Sequence, residues 1–162
     1  MIIRNPRRCI IGTIGMPGDR TFYWQIAYES EVVSVKIEKQ PAFVIAAQID
    51  GLLDELKSDL TIPPRKSKPS EDTLPLELPI DNQFELLSLG IYVIEDEIQL
   101  ELKLLNEDNN IELQFRLSPV KAREFCARTR AVVAAGRSSC PFCEMPIDID
   151  GHICVRANGY RR

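Results

Sequence analysis

Long apolar stretches are missing from this sequence of 162 residues. No uninterrupted apolar run approaches the roughly 18 to 20 residues that a helix needs to cross a bilayer, so we expect no membrane span and no membrane partner. The first residues also lack the apolar segment that is typical of a secretory signal. These absences favour a cytoplasmic protein.

Histidine is scarce, and the cysteines do not follow the pattern of a disulfide framework. There is one histidine, His152, and the five cysteines are an odd number without the spacing of a disulfide framework, which fits a reduced, cytoplasmic protein. A catalytic Cys–His pair is not expected, because the histidine is better explained as a metal ligand. The carboxylates between residues 95 and 112 fall in turns and on polar strand faces by pattern, without a pair arranged for acid–base work. The sequence therefore leaves enzymatic activity uncertain and favours a protein that is not an enzyme.

Three of the five cysteines and the one histidine are concentrated near the C-terminus, at Cys140, Cys143, His152 and Cys154. Two cysteines two residues apart can bind one metal ion from a single turn, and the His-x-Cys pair can complete the tetrahedron. Three thiolates and one imidazole suit Zn²⁺, and four protein ligands leave no open position for a substrate. We predict a structural zinc site in residues 137–162. The alternative, a redox-active C-x2-C, lacks a βαβ setting and leaves His152 and Cys154 unexplained.

Charge is unevenly distributed along the chain. Residues 71–112 contain twelve acidic residues and one basic residue, a net charge of −11, whereas residues 119–162 contain eight basic and four acidic residues, a net charge of +4. The two regions could attract each other or face different partners. Arg156, Tyr160 and Arg161 form a basic and aromatic tip beside the predicted zinc site. Nucleic acid could bind there, but the acidic pI of about 5.1 favours a protein partner.

Hydrophobic periodicity predicts two similar halves, each with three strands followed by a helix. The predicted strands are 8–14, 21–29 and 32–38, then 84–94, 98–105 and 111–117; the helices are 41–60 and 120–135. A proline opens each helix, at Pro41 and Pro119. In the first helix, six apolar residues recur at helical spacing: Phe43, Val44, Ala47, Leu52, Leu53 and Leu56.

The predicted fold class is α+β, with a domain over residues 1–136 and a zinc-binding tail over 137–162. The domain consists of two βββα halves, 1–60 and 81–136, which a duplication could explain. Their antiparallel sheets would pair side by side or face to face; two unrelated hairpin sheets are the alternative. Residues 61–80 contain five prolines and many charges, which predicts a mobile linker that adds nothing to the core.

The stretch from Gly12 to Arg20 suggests a second functional hypothesis. Backbone amides of a glycine-rich turn and the fork of Arg20 both suit phosphate, and Arg156 could provide a second contact in an enzyme or ligand-binding protein acting on a phosphorylated compound. The turn joins two strands without a following helix, so a simple hairpin is favoured. Phe22 and Trp24 share one strand face, which either packs in the core or stacks bases.

Two motifs, at opposite ends of the chain, resemble those of a known family. The first is Gly12-Thr-Ile-Gly15-Met-Pro17-Gly18-Asp-Arg20-Thr-Phe22, and the second is Cys140-Pro-Phe-Cys143 with Gly151-His152-Ile-Cys154-Val-Arg156-Ala-Asn-Gly159-Tyr160-Arg161. They resemble an actinobacterial family of uncharacterised proteins defined by a domain of unknown function. The resemblance implies a shared overall arrangement and a zinc-ribbon-like tail, without an established activity. We therefore expect a non-enzymatic, zinc-stabilised binding or adaptor protein whose partner is a protein.

Overall fold

The structure is a computed structural model that describes residues 2–16, 18–56, 62–65 and 74–135, and the backbone of 138–139 and 146–147. The strands are β1 (Ile2–Arg4), β2 (Arg8–Ile14), β3 (Thr21–Tyr28), β4 (Glu31–Ile37), β5 (Gln83–Ile94), β6 (Glu97–Leu105), β7 (Asn110–Leu117), β8 (Ser138–Ser139) and β9 (Pro146–Ile147). The helices are α1 (Lys39–Glu55) and α2 (Pro119–Ala134). No helix in this described part is long and apolar enough to cross a membrane.

Seven strands form one mixed sheet in the order β1-β7-β6-β5-β4-β3-β2. The predicted order of three strands and a helix, twice over, is confirmed for β2–β4 with α1 and for β5–β7 with α2. Each half is an antiparallel three-stranded sheet, as predicted, and of the two predicted arrangements the side-by-side one is observed, because β4 pairs with β5 in parallel and joins the halves into one mixed sheet. Helix α1 makes this possible, since parallel neighbours need a long crossover connection. The short β1, which was not predicted, pairs in parallel with β7.

The sheet curls until its two edges approach each other. Strands β1 and β2 lie at opposite edges, yet only Asn5, Pro6 and Arg7 connect them. Six strand spacings in a flat sheet would separate the edges by about 29 Å, whereas four residue steps of extended chain reach about 14 Å. The ring of Trp24 on β3 lies 6.2 Å from that of Phe115 on β7, which a flat sheet would also forbid. Helix α2 contacts β2 at one end of the sheet and β6 and β7 at the other.

The concave face of the curled sheet and the two helices enclose the core. Alternate β6 residues point inward and are almost fully buried: Ile98, Leu100, Leu102 and Leu104. The predicted apolar face of α1 is confirmed in its second half, where Leu53 is buried and Leu52 and Leu56 pack against the core. It is wrong in the first half, where Ile45 and Ile49 are buried instead. Phe43 and Val44 are instead exposed, because the stripe of small and branched residues through Ile45 faces α2 and the core.

The prediction that the linker adds nothing to the core is wrong for its described residues. Ile62 and Leu76 are both buried. Gln25 of β3 pairs with the backbone of Glu77 in both directions, since its amide donates to the Glu77 carbonyl at 2.9 Å and its oxygen accepts from the Glu77 N–H at 2.8 Å. The prolines keep this stretch extended, and a side-chain amide supplies the hydrogen bonds that a neighbouring strand would give. The domain boundaries themselves stay predictions.

Candidate functional site

The four predicted zinc ligands, Cys140, Cys143, His152 and Cys154, lie outside the described residues, as do Arg156, Tyr160 and Arg161. The described backbone nearby is a two-stranded antiparallel ribbon in which Ser138 faces Ile147 and Ser139 faces Pro146. This pairing closes the six-residue connection 140–145, which contains both cysteines of the C-x2-C motif. Within the residues that the structure describes, no cluster of three or more His, Cys, Asp or Glu side chains could hold a metal ion.

The Gly12–Arg20 stretch belongs to the β2–β3 hairpin, as the simpler interpretation predicted: Gly12 is in β2 and pairs with Tyr23, and Gly15 and Arg20 lie in the connection to β3. The Asp19 N–H donates to the Met16 carbonyl at 2.9 Å. Gly15 has a φ of +109°, and a Cβ there would lie 2.5 Å from the Asp19 carbonyl oxygen, so the position requires glycine. The glycine at position 15 is therefore explained by the geometry of the turn, without a phosphate ligand.

The Arg20 side chain makes contacts within the protein. Its guanidinium donates to the Val132 carbonyl at 3.2 Å, near the end of α2, and lies 5.2 Å from the centre of the Phe22 ring. A carbonyl in the last turn of a helix needs such a donor, and an arginine over an aromatic face is a stable arrangement. Arg20 thus ties the hairpin to the C-terminal end of α2.

The aromatic strand β3 packs into the core. Trp24 is fully buried, and its ring lies 5.5 Å from that of Phe125 on α2. Phe22 is buried on the same face, so the prediction that these two residues share a face is confirmed. Buried rings cannot stack on bases, so the face shared by Phe22 and Trp24 does not offer a nucleic-acid platform.

The two described cysteines are protonated thiols. Trp24 Nε1 donates to Cys9 Sγ at 3.3 Å, and burial raises the pKa of Cys9 to about 12. Burial likewise raises the pKa of Cys126, whose Sγ donates to the Ala46 carbonyl at 3.3 Å. A thiol is a poor nucleophile until it loses its proton. Cys9 and Cys126 therefore serve packing.

A network of charged side chains, which the sequence analysis missed, lies between α1 and α2. Arg123 is fully buried and contacts Asp50 Oδ1 at 2.7 Å and Asp54 Oδ1 at 2.8 Å. Arg130 also bonds the buried Asp50 carboxylate. Arg65 contacts Asp54 Oδ2 at 2.7 Å, and its hydrogen bond is the main cause that lowers the pKa of Asp54.

This network is internally satisfied. The Arg123 Nε donates to the Pro63 carbonyl at 3.0 Å, and Nη1 also reaches the Asp50 carbonyl at 3.2 Å. Nε, Nη1 and Nη2 of Arg123 therefore each have a hydrogen-bond partner, as burial of a charge requires. The sequence carried a signal for it: Asp50 and Arg123 sit at helical positions in line with buried Ala46, Leu53 and Cys126.

Arginines from β2, from α2 and from the residue before β2 bind the extended residues Leu74–Glu77. Arg8 and Arg128 both donate to the Leu74 carbonyl, at 3.1 and 2.7 Å. Arg7 contacts Glu77 at 2.9 Å. These arginines, like Arg20 and Arg123, stabilise the fold rather than forming an exposed anion site.

The protein-family model described as "Protein of unknown function (DUF3090)" matches residues 2–154. No curated protein matches the chain. No solved structure matches it either.

Proposed function

Because the chain belongs to the DUF3090 family of proteins of unknown function, we propose its role from its own residues: a non-enzymatic, zinc-stabilised binding or adaptor protein of the cytoplasm. The observation that best supports the zinc site is the pairing of β8 with β9 around the segment that contains Cys140 and Cys143. A short loop closed by paired strands suits a cysteine pair that binds one ion from a single turn. His152 and Cys154 would complete the set.

Two further features support a binding role. The arginines with described side-chain contacts, such as Arg20 and Arg123, hold the fold together. The surface instead offers a strongly acidic middle region beside exposed apolar strand residues. A protein partner is favoured, and nucleic acid at the tip formed by Arg156, Tyr160 and Arg161 is the alternative. The hypothesis of a phosphorylated ligand is weakened, because it requires Arg20 to be free for phosphate.

Metal analysis tests the zinc site directly. We expect about one Zn²⁺ per purified wild-type chain, and loss of most of that metal in Cys143→Ser, because three remaining ligands bind zinc much more weakly. Cys9→Ala is the matched control, since Cys9 lies on β2 beside Trp24 and should leave the metal content unchanged. A metal-free wild-type protein, or a Cys143→Ser variant with full zinc content, would contradict the proposal.

Partner capture tests the role of the tail. Wild-type protein and a variant lacking residues 157–162 are compared as baits, with nuclease-treated samples alongside. A protein lost from the truncated bait would place the contact at the tip, and sensitivity of capture to nuclease would favour the nucleic-acid alternative. Equal capture of every partner by both baits would remove the tip from the binding site.

A further inference from the structure

On the side that faces β4, strand β5 is paired only along its first three residues. Its first residues, Gln83–Glu85, pair with Ser34–Lys36 of β4. Strand β4 then ends at Ile37 and the chain turns into α1 at Lys39, whereas β5 continues to Ile94 with β6 on its other side. In the part of the chain that the structure describes, the position that β4 leaves beside 87–94 has no strand. Backbone N–H and C=O groups at alternate residues therefore face an open edge.

This open edge lacks the usual protection against pairing. Residues 86–94 contain no charge and no proline, two of the features with which exposed edges are commonly blocked. The only irregularity along the β5–β6 pairing is a register shift between Leu86 and Ser88, at the start of the open part. Leu87 and Tyr92 are 57% and 48% exposed. An uncharged, exposed edge of this length is typical of a surface that accepts an added strand.

Apolar side chains line the position beside the edge. Leu89 and Ile91 are half-buried and pair across the ladder with Leu102 and Leu100 of the core. Leu87, Tyr92 and Val93 add exposed apolar side chains along the same stretch. An added strand would thus gain apolar contacts as well as backbone hydrogen bonds.

Acidic residues flank the open edge at both ends. Glu85 precedes it, and Glu95, Asp96 and Glu97 follow it. One ion pair is described for this group: Arg116 contacts Glu95 at 3.3 Å, and the Glu95 side chain is itself largely exposed. Lys36 of β4 lies opposite Glu85 in the ladder, so the acidic excess is greatest at the Glu95 end. An antiparallel second copy of this chain would bring Glu85 of one copy toward Glu95 of the other, so like charges disfavour a dimer at this edge. Complementarity favours a segment with basic ends.

We propose that the Leu87–Ile94 edge of β5 binds an extended segment of a partner protein as an eighth strand of the sheet. The segment is apolar at alternate central positions and carries lysine or arginine at both ends. This inference rests on the proposed role as a binding protein and assigns that role a surface apart from the zinc tail.

A synthetic peptide probe tests the edge on the full, zinc-analysed chain. The probe is a fluorescent peptide of about nine residues with alternating valine and threonine between Lys-Arg ends. We expect saturable binding by fluorescence anisotropy, and none for a peptide N-methylated at alternate amides, because the methyl groups remove the ladder hydrogen bonds. A peptide with Glu-Asp ends should bind at least about tenfold more weakly.

Protein variants locate the binding. Leu87→Lys places a charge on the edge, where the exposed side chain should leave the fold intact, and should weaken peptide binding about tenfold. Leu78→Lys is the matched control, because Leu78 is 66% exposed and precedes the start of β5, at the end of the strand away from Ile94. Unfolding curves of both variants should superimpose on that of the wild type.

Three results would overturn the inference: no binding of the basic peptide, binding that is insensitive to N-methylation or to Leu87→Lys, or a wild-type dimer that Leu87→Lys dissociates. The last result would identify a second copy as the occupant. Zinc content on the same samples separates this inference from the zinc site. If bait protein carrying Leu87→Lys still captures the partners of the wild type, the binding role stands and the β5 edge does not serve it.

Discussion

Among single residues, Arg123 shows most clearly how charge is used in this protein. Its side chain is fully buried and bonds two carboxylates and two backbone carbonyls. Removing one member of a buried pair leaves the other charge without compensation, and this is more costly than replacing both by apolar residues. The network thus fixes how α1 meets α2.

Replacement of Asp50 tests this interpretation. We expect Asp50→Ala to lower the free energy of unfolding by about 3–5 kcal/mol, because the Arg123 charge stays buried with fewer partners. The double variant Asp50→Leu, Arg123→Met should recover much of that loss. Urea unfolding with a constant m value provides the measurement. As a control, Glu112→Ala should have little effect, since the contact between Glu112 and Lys103 is 3.9 Å long and exposed.

Gly12 is required by a close approach rather than by its backbone angles. A Cβ at this position would lie 2.7 Å from Leu76 Cγ, so any larger residue would displace the buried Leu76. We expect Gly12→Ala to destabilise the protein by about 1–3 kcal/mol, the usual cost of overpacking. In a Leu76→Ala background the same change should be neutral or stabilising, because the space is then free. An equal cost in both backgrounds, measured by urea unfolding, would show that Leu76 is not the cause.

Among the elements, the extended stretch Leu74–Glu77 behaves as an additional layer on the outer face of the β2–β3 hairpin. The Gln25 side chain takes the place of a strand partner for Glu77, and Leu76 fills the gap above Gly12. Arg7 adds an ion pair at its end. A segment rich in proline can therefore be ordered when side chains satisfy its backbone groups.

The Arg7–Glu77 pair makes part of this attachment dependent on pH. The hydrogen bond from Arg7 is the main cause that lowers the pKa of Glu77. The stabilisation is therefore complete above the ordinary glutamate pKa and is lost as pH falls through the lower folded value. We expect wild-type protein to be more stable than Arg7→Gln at pH 7, with the difference vanishing at acidic pH. Urea unfolding across this range provides the measurement, and a constant difference would exclude the pair as its cause.

At the scale of the whole molecule, the curled sheet brings together residues that the strand order places far apart. Trp24 and Phe115 belong to β3 and β7, with three strands between them in the sheet, yet their rings meet edge to face. The short connection from β1 to β2 requires the same curvature. Helix α2 then packs against strands from both ends of the sheet.

A double-mutant cycle between Trp24 and Phe115 tests the curvature. We expect Trp24→Leu and Phe115→Leu each to destabilise the protein, with a coupling of about 0.5–1.5 kcal/mol, as found for aromatic pairs in contact. Thermal or urea unfolding of the two single variants and the double variant supplies the cycle. Additive effects would indicate that the rings do not touch, as in a flat sheet.

The chain by itself determined strands β2–β7, the two helices and their order, whereas the short β1, β8 and β9 were not predicted. Period-two alternation in β6 and β7 and the Ser118-Pro119 start of α2 were sufficient, because local periodicity and capping are written in neighbouring residues. The shared face of Phe22 and Trp24 followed from the same alternation. The zinc site was also predicted from spacing alone, and both its ligands and its geometry stay predictions.

Only the tertiary structure decided how these elements combine. Parallel pairing of β4 with β5, the curl that brings β1 toward β2, and the buried face of α1 depend on contacts between residues far apart in the chain. The burial of Asp50 depends on its ion pair with Arg123, which belongs to the other helix, so local sequence alone does not reveal the pair. The open edge of β5 was likewise hidden, because a strand's pattern records which face is buried and not where its neighbour ends.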